Sequence, residues 1–371
     1  MANAQWQQTS LNTQQVNCFA NNGNIIFVGT SGNGIYKSSN NGSNWATANS
    51  GLTNMQITSL ALKGDTIFAG AANDNIFLSV NNGNNWTEVY NAALTCNVNA
   101  LAISGNIIVA GTTGPAGTGI CMSSDNGNNW TPVNIGLTDF NVYALALSGT
   151  NIFTGGNYGV FMTSNNGYTW IPTSLSGIQV NALAVNTTSI FAGTYGGKVY
   201  MSSDNGNIWT EIDNGYFSDD VQALAINGNN IFAGTFGSGV FLSSDNGNSW
   251  TAINNGLTNL DIFTLAIIGD TLFAGPSNCG GVWFLPLETV GIKEINNNNI
   301  KIYPNPAKDK LTIENLQKSE IELLNIQGQI ILKKESQHSI TDINISALEK
   351  GVYILKLRCN DRTEVTRIVK E

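Results

Sequence analysis

One eight-residue phrase recurs six times at a nearly constant interval, and no other feature limits the fold so narrowly. It reads SSNNGSNW, SVNNGNNW, SSDNGNNW, TSNNGYTW, SSDNGNIW and SSDNGNSW, ending at Trp45, Trp86, Trp130, Trp170, Trp209 and Trp250. The intervals are 41, 44, 40, 39 and 41 residues. Between the boxes, apolar and polar residues alternate in short runs. One unit reads Val180-Asn181-Ala182-Leu183-Ala184-Val185, Ser189-Ile190-Phe191-Ala192-Gly193, Val199-Tyr200-Met201-Ser202 and Trp209-Thr210-Glu211-Ile212. Period-two alternation marks half-buried strands, and no segment has helical periodicity. Four strands in a repeat of roughly 40 residues are the signature of a β-propeller blade.

The phrase that opens each unit occurs seven times, at residues 16–20, 58–62, 98–102, 142–146, 180–184, 221–225 and 262–266. The seventh unit runs out at Val282-Trp283-Phe284-Leu285 with no box of its own. Trp6-Gln7-Gln8-Thr9 lies 39 residues before Trp45, in phase with the other tryptophans. The N-terminus is therefore expected to supply the fourth strand of the last blade, which removes exposed strand edges. The expectation is an all-β chain with a seven-bladed propeller over residues 1–286.

The box itself invites a reading as a metal or catalytic loop, through Asp125, Asp204 and Asp245. Three of the six copies carry Asn40, Asn81 and Asn165 at that position, so the charge is dispensable. An EF-hand loop needs Gly at its sixth position and Glu at its twelfth. Counting from Asp125 gives Trp130 and Gly136, and from Asp204 gives Trp209 and Gly215, so the register fails. A structural turn fits better. The Asp or Asn side chain accepts backbone N–H bonds two residues on, Gly42, Gly83, Gly127, Gly167, Gly206 and Gly247 supply the left-handed position, and the Trp packs between blades. These S/T-x-D-x-G-x-T-W hairpins resemble the Asp-box (BNR) repeats of sialidase-like, sortilin-like and xyloglucanase-like propellers. The match departs at the three Asn positions, and the Thr before Trp survives only as Thr169.

Charge narrows the function. Residues 1–290 hold Lys37, Lys63 and Lys198, no arginine and fourteen acids, while residues 291–371 hold thirteen basic and eleven acidic residues. An acidic body without arginine is a poor partner for nucleic acid, which needs clustered Lys and Arg. The longest apolar runs are strand-sized, far below the roughly 20 residues of a membrane span. Sialidases bind the substrate carboxylate with three arginines, so the resemblance implies no sialidase activity here. With His338 the single histidine and Cys18, Cys96, Cys121, Cys279 and Cys359 scattered, neither a zinc site nor a Ser–His–Asp arrangement is expected in the propeller. Cys18 stands where other repeats carry alanine, as a small core filler. No cofactor is expected.

In a propeller, loops joining the second and third strands share one rim with the loops between blades, opposite the boxes. On that rim Asp74, Asp139, Asp219, Asp220 and Asp261 are the available acids, read as solvated. A glycosidase needs two carboxylates about 5–10 Å apart. Asp219 and Asp220 are the densest pair, yet neighbours in an extended segment point opposite ways. Aromatics crowd the same rim: Tyr158, Tyr195 and Phe236 in equivalent loops, and Phe140, Tyr216 and Phe217 between blades. Flanked by Asn and Asp, they suit a non-catalytic glycan- or protein-binding or adhesion module, with a polysaccharide-active hydrolase as the alternative and local packing as the bland reading.

Composition changes near Glu288. A polar stretch over 287–299 is expected to be a linker, and residues 300–371 hold short alternating strands typical of a small Ig-like sandwich. The phrases Ile302-Tyr303-Pro304-Asn305-Pro306-Ala307, Leu324-Asn325-Ile326-Gln327-Gly328 and Leu348-Glu349-Lys350-Gly351-Val352-Tyr353 closely resemble the type A C-terminal sorting domain of the Bacteroidota type IX secretion system. The resemblance implies recognition by that machinery, passage across the outer membrane and residence at the cell surface or in the medium, often after cleavage in the linker. Ala2-Asn3-Ala4 has the form of a signal-peptidase site, read as the scar of a removed export signal.

Overall fold

The computed structural model describes residues 5–73, 76–89, 96–114, 118–287, 301–314, 319–325, 329–336, 338, 340–359 and 362–371. Ala2-Asn3-Ala4, Asp74, Gly328 and positions 288–299 of the expected linker lie outside them. Contacts divide the chain into two compact units, Met1–Ile292 and Lys293–Glu371. Neither contains an α-helix among the described residues.

The first unit holds seven four-stranded antiparallel sheets. The first of them runs Val16–Asn22, Ile25–Thr30, Gly34–Ser38 and Ala46–Thr47 in order. Five more follow the same pattern, opening at Ile57–Lys63, Asn97–Ser104, Val142–Ser148, Val180–Val185 and Val221–Asn227. The last comprises Ile262–Ile268, Thr271–Pro276 and Trp283–Pro286, with Gln7–Gln8 as its outer strand. Gln7 pairs with Phe284 and Gln8 with Trp283.

The sheets stack because each second strand reads as a pair of large apolar residues, Ile-Phe in most copies, followed by one smaller residue and glycine. Phe27, Phe68, Phe153, Phe191, Phe232 and Phe273 are essentially fully buried there, with Val109 in the third sheet. Each such side chain contributes roughly 1.5–3 kcal/mol of burial. The glycine permits close approach: a Cβ on Gly70 would sit 2.6 Å from Val98 of the next sheet, and one on Gly275 would sit 2.7 Å from Val16 of the first. The core is therefore a series of clusters between neighbours, such as Phe27, Ile35, Ile57, Phe77 and Trp86. Val16, Ile26 and Val28 likewise share a cluster with Phe273 and Val282 of the last sheet. Leu287, expected to start the linker, is instead buried in the last cluster.

One irregularity repeats in all seven sheets. The register between first and second strands slips by one residue, as between Val16 and Cys18 or Ile262 and Thr264. Such a bulge leaves one residue unpaired and re-aims its side chain.

The second unit is a two-sheet sandwich. Lys301–Tyr303, Lys310–Glu314 and Ile340–Asn344 form one sheet, and Ile330–Ser336, Ser319–Leu324, Gly351–Cys359 and Arg362–Lys370 the other. Leu311, Ile313 and Ile343 of the first meet Ile321, Leu323, Leu355 and Ile368 of the second in one core. The motif residues act as fasteners. Asn305 Oδ1 accepts the Val369 N–H at 2.9 Å, Ala307 donates to the Val369 carbonyl at 2.8 Å, and Tyr353 donates its hydroxyl to the Glu349 carbonyl at 3.0 Å. Tyr303 donates to the Glu314 carboxylate. Pro304 and Pro306 flank the Asn305 fastener, and Gly351 opens the strand that carries Tyr353.

Candidate functional site

The six boxes are closed knots. In every copy the Ser or Thr hydroxyl donates to the Asp or Asn Oδ1 at 2.8–3.0 Å. The same hydroxyl oxygen accepts the Gly N–H at 2.8–3.1 Å. The Oδ1 also accepts an N–H four residues on, at 2.8–3.0 Å, rather than two as expected. The Asn before the Gly, not the Gly alone, is left-handed: Asn41, Asn82, Asn126, Asn166, Asn205 and Asn246 have φ between 54° and 59°. None of these bonds needs a charge, which is why Asn40, Asn81 and Asn165 serve as well as Asp. Where Asp is present, its carboxyl lies below the ordinary range: Asn129 holds Asp125 down, the Ile208 N–H Asp204, and Ser249 Asp245. Trp86, Trp170 and Trp250 are buried between sheets, whereas Trp45, Trp130 and Trp209 are only half-buried.

The rim residues divide into three groups. Phe140, Tyr158, Tyr195, Tyr216 and Phe236 are exposed, at 45–63% of their surface. Phe217 is not, which corrects its expected place in a ligand site. Its ring packs edge-on against Phe241 and Trp250, both at 5.0 Å between centroids, in a core cluster. Three of the acids, Asp139, Asp219 and Asp220, are loop fasteners. Asp139, expected in solvent, is buried and accepts the N–H groups of Asn141 at 3.0 Å and Tyr158 at 2.9 Å. Asp219 accepts the Ser238 hydroxyl, and Asp220 Oδ1 accepts the Gly196 N–H at 2.8 Å. The Asp261 N–H is held by Asn259 Oδ1 at 2.9 Å.

What the rim encloses is a cavity of about 690 Å³ into which all seven first strands contribute. Its most regular feature is the bulge residue of each strand: Asn17, Thr58, Asn99, Tyr143, Asn181, Gln222 and Phe263. Of the expected rim residues that are described, only Tyr195 and Asp220 line it. The bulge positions were legible as the one variable slot in a fixed phrase, between Val or Ile and a small residue: VNC, ITS, VNA, VYA, VNA, VQA and IFT. Gln15, Gln56 and Gln179, two residues earlier, add further amides.

Several of these side chains bridge adjacent sheets. Asn17 Nδ2 donates to the Ile57 carbonyl at 2.7 Å, Thr58 Oγ1 to Val98 at 2.6 Å and Asn181 Nδ2 to Val221 at 3.4 Å. Tyr143 donates its hydroxyl to Asn157 Oδ1 at 2.9 Å. Burial, with the charge of Asp139 nearby, raises its pKa and keeps the phenol neutral. Asp220 is the one charged group among the lining residues, so the cavity offers neutral donors, acceptors and aromatic faces. A bound ligand would meet hydrogen bonds and stacking there, with no cation to neutralise an anion.

Two family models match parts of the chain. The model described as the secretion system C-terminal sorting domain matches residues 301–371, and that of the DUF6242 beta propeller domain matches residues 91–224. The search of curated proteins finds no match. Among solved structures, YCF48 from Cyanidioschyzon merolae is 15% identical, with a TM-score of 0.63 over 77% of this chain and 99% of its own. YCF48 bound to D1 peptide is 14% identical, with a TM-score of 0.63 over 77% of this chain and 96% of its own. A GH74 xyloglucanase from Xanthomonas campestris is 12% identical, with a TM-score of 0.63 over 98% of this chain and 68% of its own. At such identities the likeness concerns the fold, which is all-β and of the propeller type, followed by a type IX sorting tail.

Proposed function

We propose that the chain is exported by the type IX secretion system to the cell surface or medium, with residues 300–371 as its sorting signal. Residues 1–286 then act there as a non-catalytic binding module. In this reading the seven sheets are the blades of one ring built on Asp-box turns and closed by the N-terminal strand. Support for closure comes from the pairing of Gln7–Gln8 with Trp283–Phe284 and the seating of Gly275 against Val16.

The observation that carries the binding role is the set of seven bulged strands, each aiming one side chain at a common cavity. Hydrolysis is the second reading, favoured by the fold likeness to a GH74 enzyme. Against it, Asp220 is the one carboxylate among the lining residues, where a glycosidase needs two. The test uses secreted full-length protein and a panel of polysaccharides. Retention without product supports binding, and turnover abolished by Asp219→Ala or Asp220→Ala overturns it. For export, a chain lacking residues 300–371 should accumulate in the periplasm, and its undiminished appearance outside the cell would refute the sorting role.

A further inference from the structure

We infer that the cavity takes an uncharged carbohydrate, seated with one sugar ring against Phe263. This rests on the binding role proposed above and names the ligand class.

Charge excludes the first alternatives. Among the described residues no Lys or Arg lines the cavity and Asp220 is acidic, so phosphates, uronates and other anions would be desolvated without a counter-charge. The remaining polar groups are mostly amides. Gln15, Gln56, Asn99, Gln179 and Gln222 each carry a donor and an acceptor on one planar group. Vicinal sugar hydroxyls present the same pairing, each both donating and accepting.

Phe263 supplies the second element. Six of the seven bulge positions hold a side chain able to hydrogen-bond, and the seventh holds a phenyl ring. The ring cannot tie neighbouring sheets together as Asn17, Thr58 and Asn181 do. It also stays 41% exposed, facing a cavity whose polar lining is mostly amides. Tyr195, 61% exposed, lines the same space from a loop. Apolar faces beside amides match a pyranose ring, whose C–H face stacks while its edge hydroxyls bond.

A peptide fits less well. Extended peptides are captured by free strand edges, through their main chain. Here the carbonyls of Ile57, Val98 and Val221 at those edges already accept bonds from the neighbouring sheet's bulge side chain. At these three strands the bulge side chain thus occupies an edge carbonyl that a peptide would use, and the cavity offers mainly side-chain amides and aromatic faces.

The test titrates the full chain by calorimetry with neutral gluco-, xylo-, manno- and N-acetylglucosamine oligosaccharides. Oligogalacturonate and a mixed hexapeptide pool serve as comparators. At least one neutral sugar should bind, and Phe263→Ala should weaken it by about tenfold or more, equivalent to roughly 1.4 kcal/mol. Phe263→Asn installs the residue that three other sheets carry at this position, so it should keep the melting temperature and show the same loss. Tyr168→Ala, exposed in a box turn and outside the lining, should leave affinity unchanged. Preference for oligogalacturonate or peptide, or no binding by any probe, overturns the inference. If neutral sugars bind but neither Phe263 variant weakens them, the cavity assignment falls and the binding role stands. Steady release of shorter sugars would instead overturn the non-catalytic role.

Discussion

The indole of Trp6 donates its N–H to the carbonyl of Ile253 at 2.6 Å, joining residues 247 positions apart. The contact copies those made by three of the six box tryptophans, Trp86, Trp170 and Trp250. Trp86 reaches the Ala48 carbonyl and Trp170 the Val133 carbonyl, both at 2.7 Å, in the outer strand of the preceding sheet or just past it. Gly51, Gly136 and Gly256 line up against the backbone carbonyls of Trp86, Trp170 and Trp6 in the same way. Trp6 thus occupies a box-tryptophan seat without a box.

That seat should be expensive to empty. Trp6 is almost fully buried in the last core cluster, so Trp6→Ala is expected to lower stability by about 3–5 kcal/mol. Removing residues 1–9 should go further, because it leaves the edge of Trp283–Pro286 unpaired and open to another chain. Urea midpoints and size-exclusion profiles check both. An unchanged midpoint for the deletion would argue against a closing N-terminal strand.

The box hydroxyl is predicted to matter more than the box acid. Ser202 both donates to Asp204 and accepts from Gly206, so Ser202→Ala leaves a buried N–H unmet and should cost about 1–3 kcal/mol. Ser202→Thr should be nearly neutral, because Thr163 makes the same two bonds in the fourth box. Thermal denaturation of the pair decides it, and equal losses for Ala and Thr would contradict the geometry.

Asp125, Asp204 and Asp245 sit below their ordinary 3.8 in the fold. An acid whose folded pKa is depressed stabilises the fold fully above its unfolded pKa, and that contribution disappears as pH falls through the folded value. The triple change to Asn should therefore flatten the loss of stability below about pH 4. At neutral pH it should behave like the parent, since Asn40, Asn81 and Asn165 already make the equivalent bonds. Denaturant melts from pH 2 to 7 measure this, and parallel acid slopes would count against it.

The sheets were legible because their signals are local: alternation gives strands, and Asn-Gly with Trp gives the turn. The site was less so. Phe217 reads as one more rim aromatic, but burial depends on Phe241 and Trp250, neither of which is its chain neighbour. Asp139 reads as a solvated loop acid, yet Asn141 and Tyr158 turn it into a buried acceptor. The cavity residues are spread over seven units at a slot that alternation alone would pair within a sheet. Only the bulge, a departure from that alternation, turns Asn17 or Phe263 toward a shared space.

The cysteines give a prediction independent of any ligand. Cys279 is exposed, whereas Cys121 is buried and Cys18, half-buried as a residue, has its sulfur packed near Gly29. Desolvation pushes both the Cys18 and Cys121 thiols up to about 12, with the Cys96 thiol adding to the effect at Cys121. Only thiolate alkylates at an appreciable rate, so at pH 8 iodoacetamide should modify Cys279 and spare these two. Adding guanidinium should expose both to modification together with loss of the fold. Peptide mapping by mass spectrometry resolves each position, and native-state labelling of Cys18 as fast as Cys279 would show that the first sheet does not enclose it.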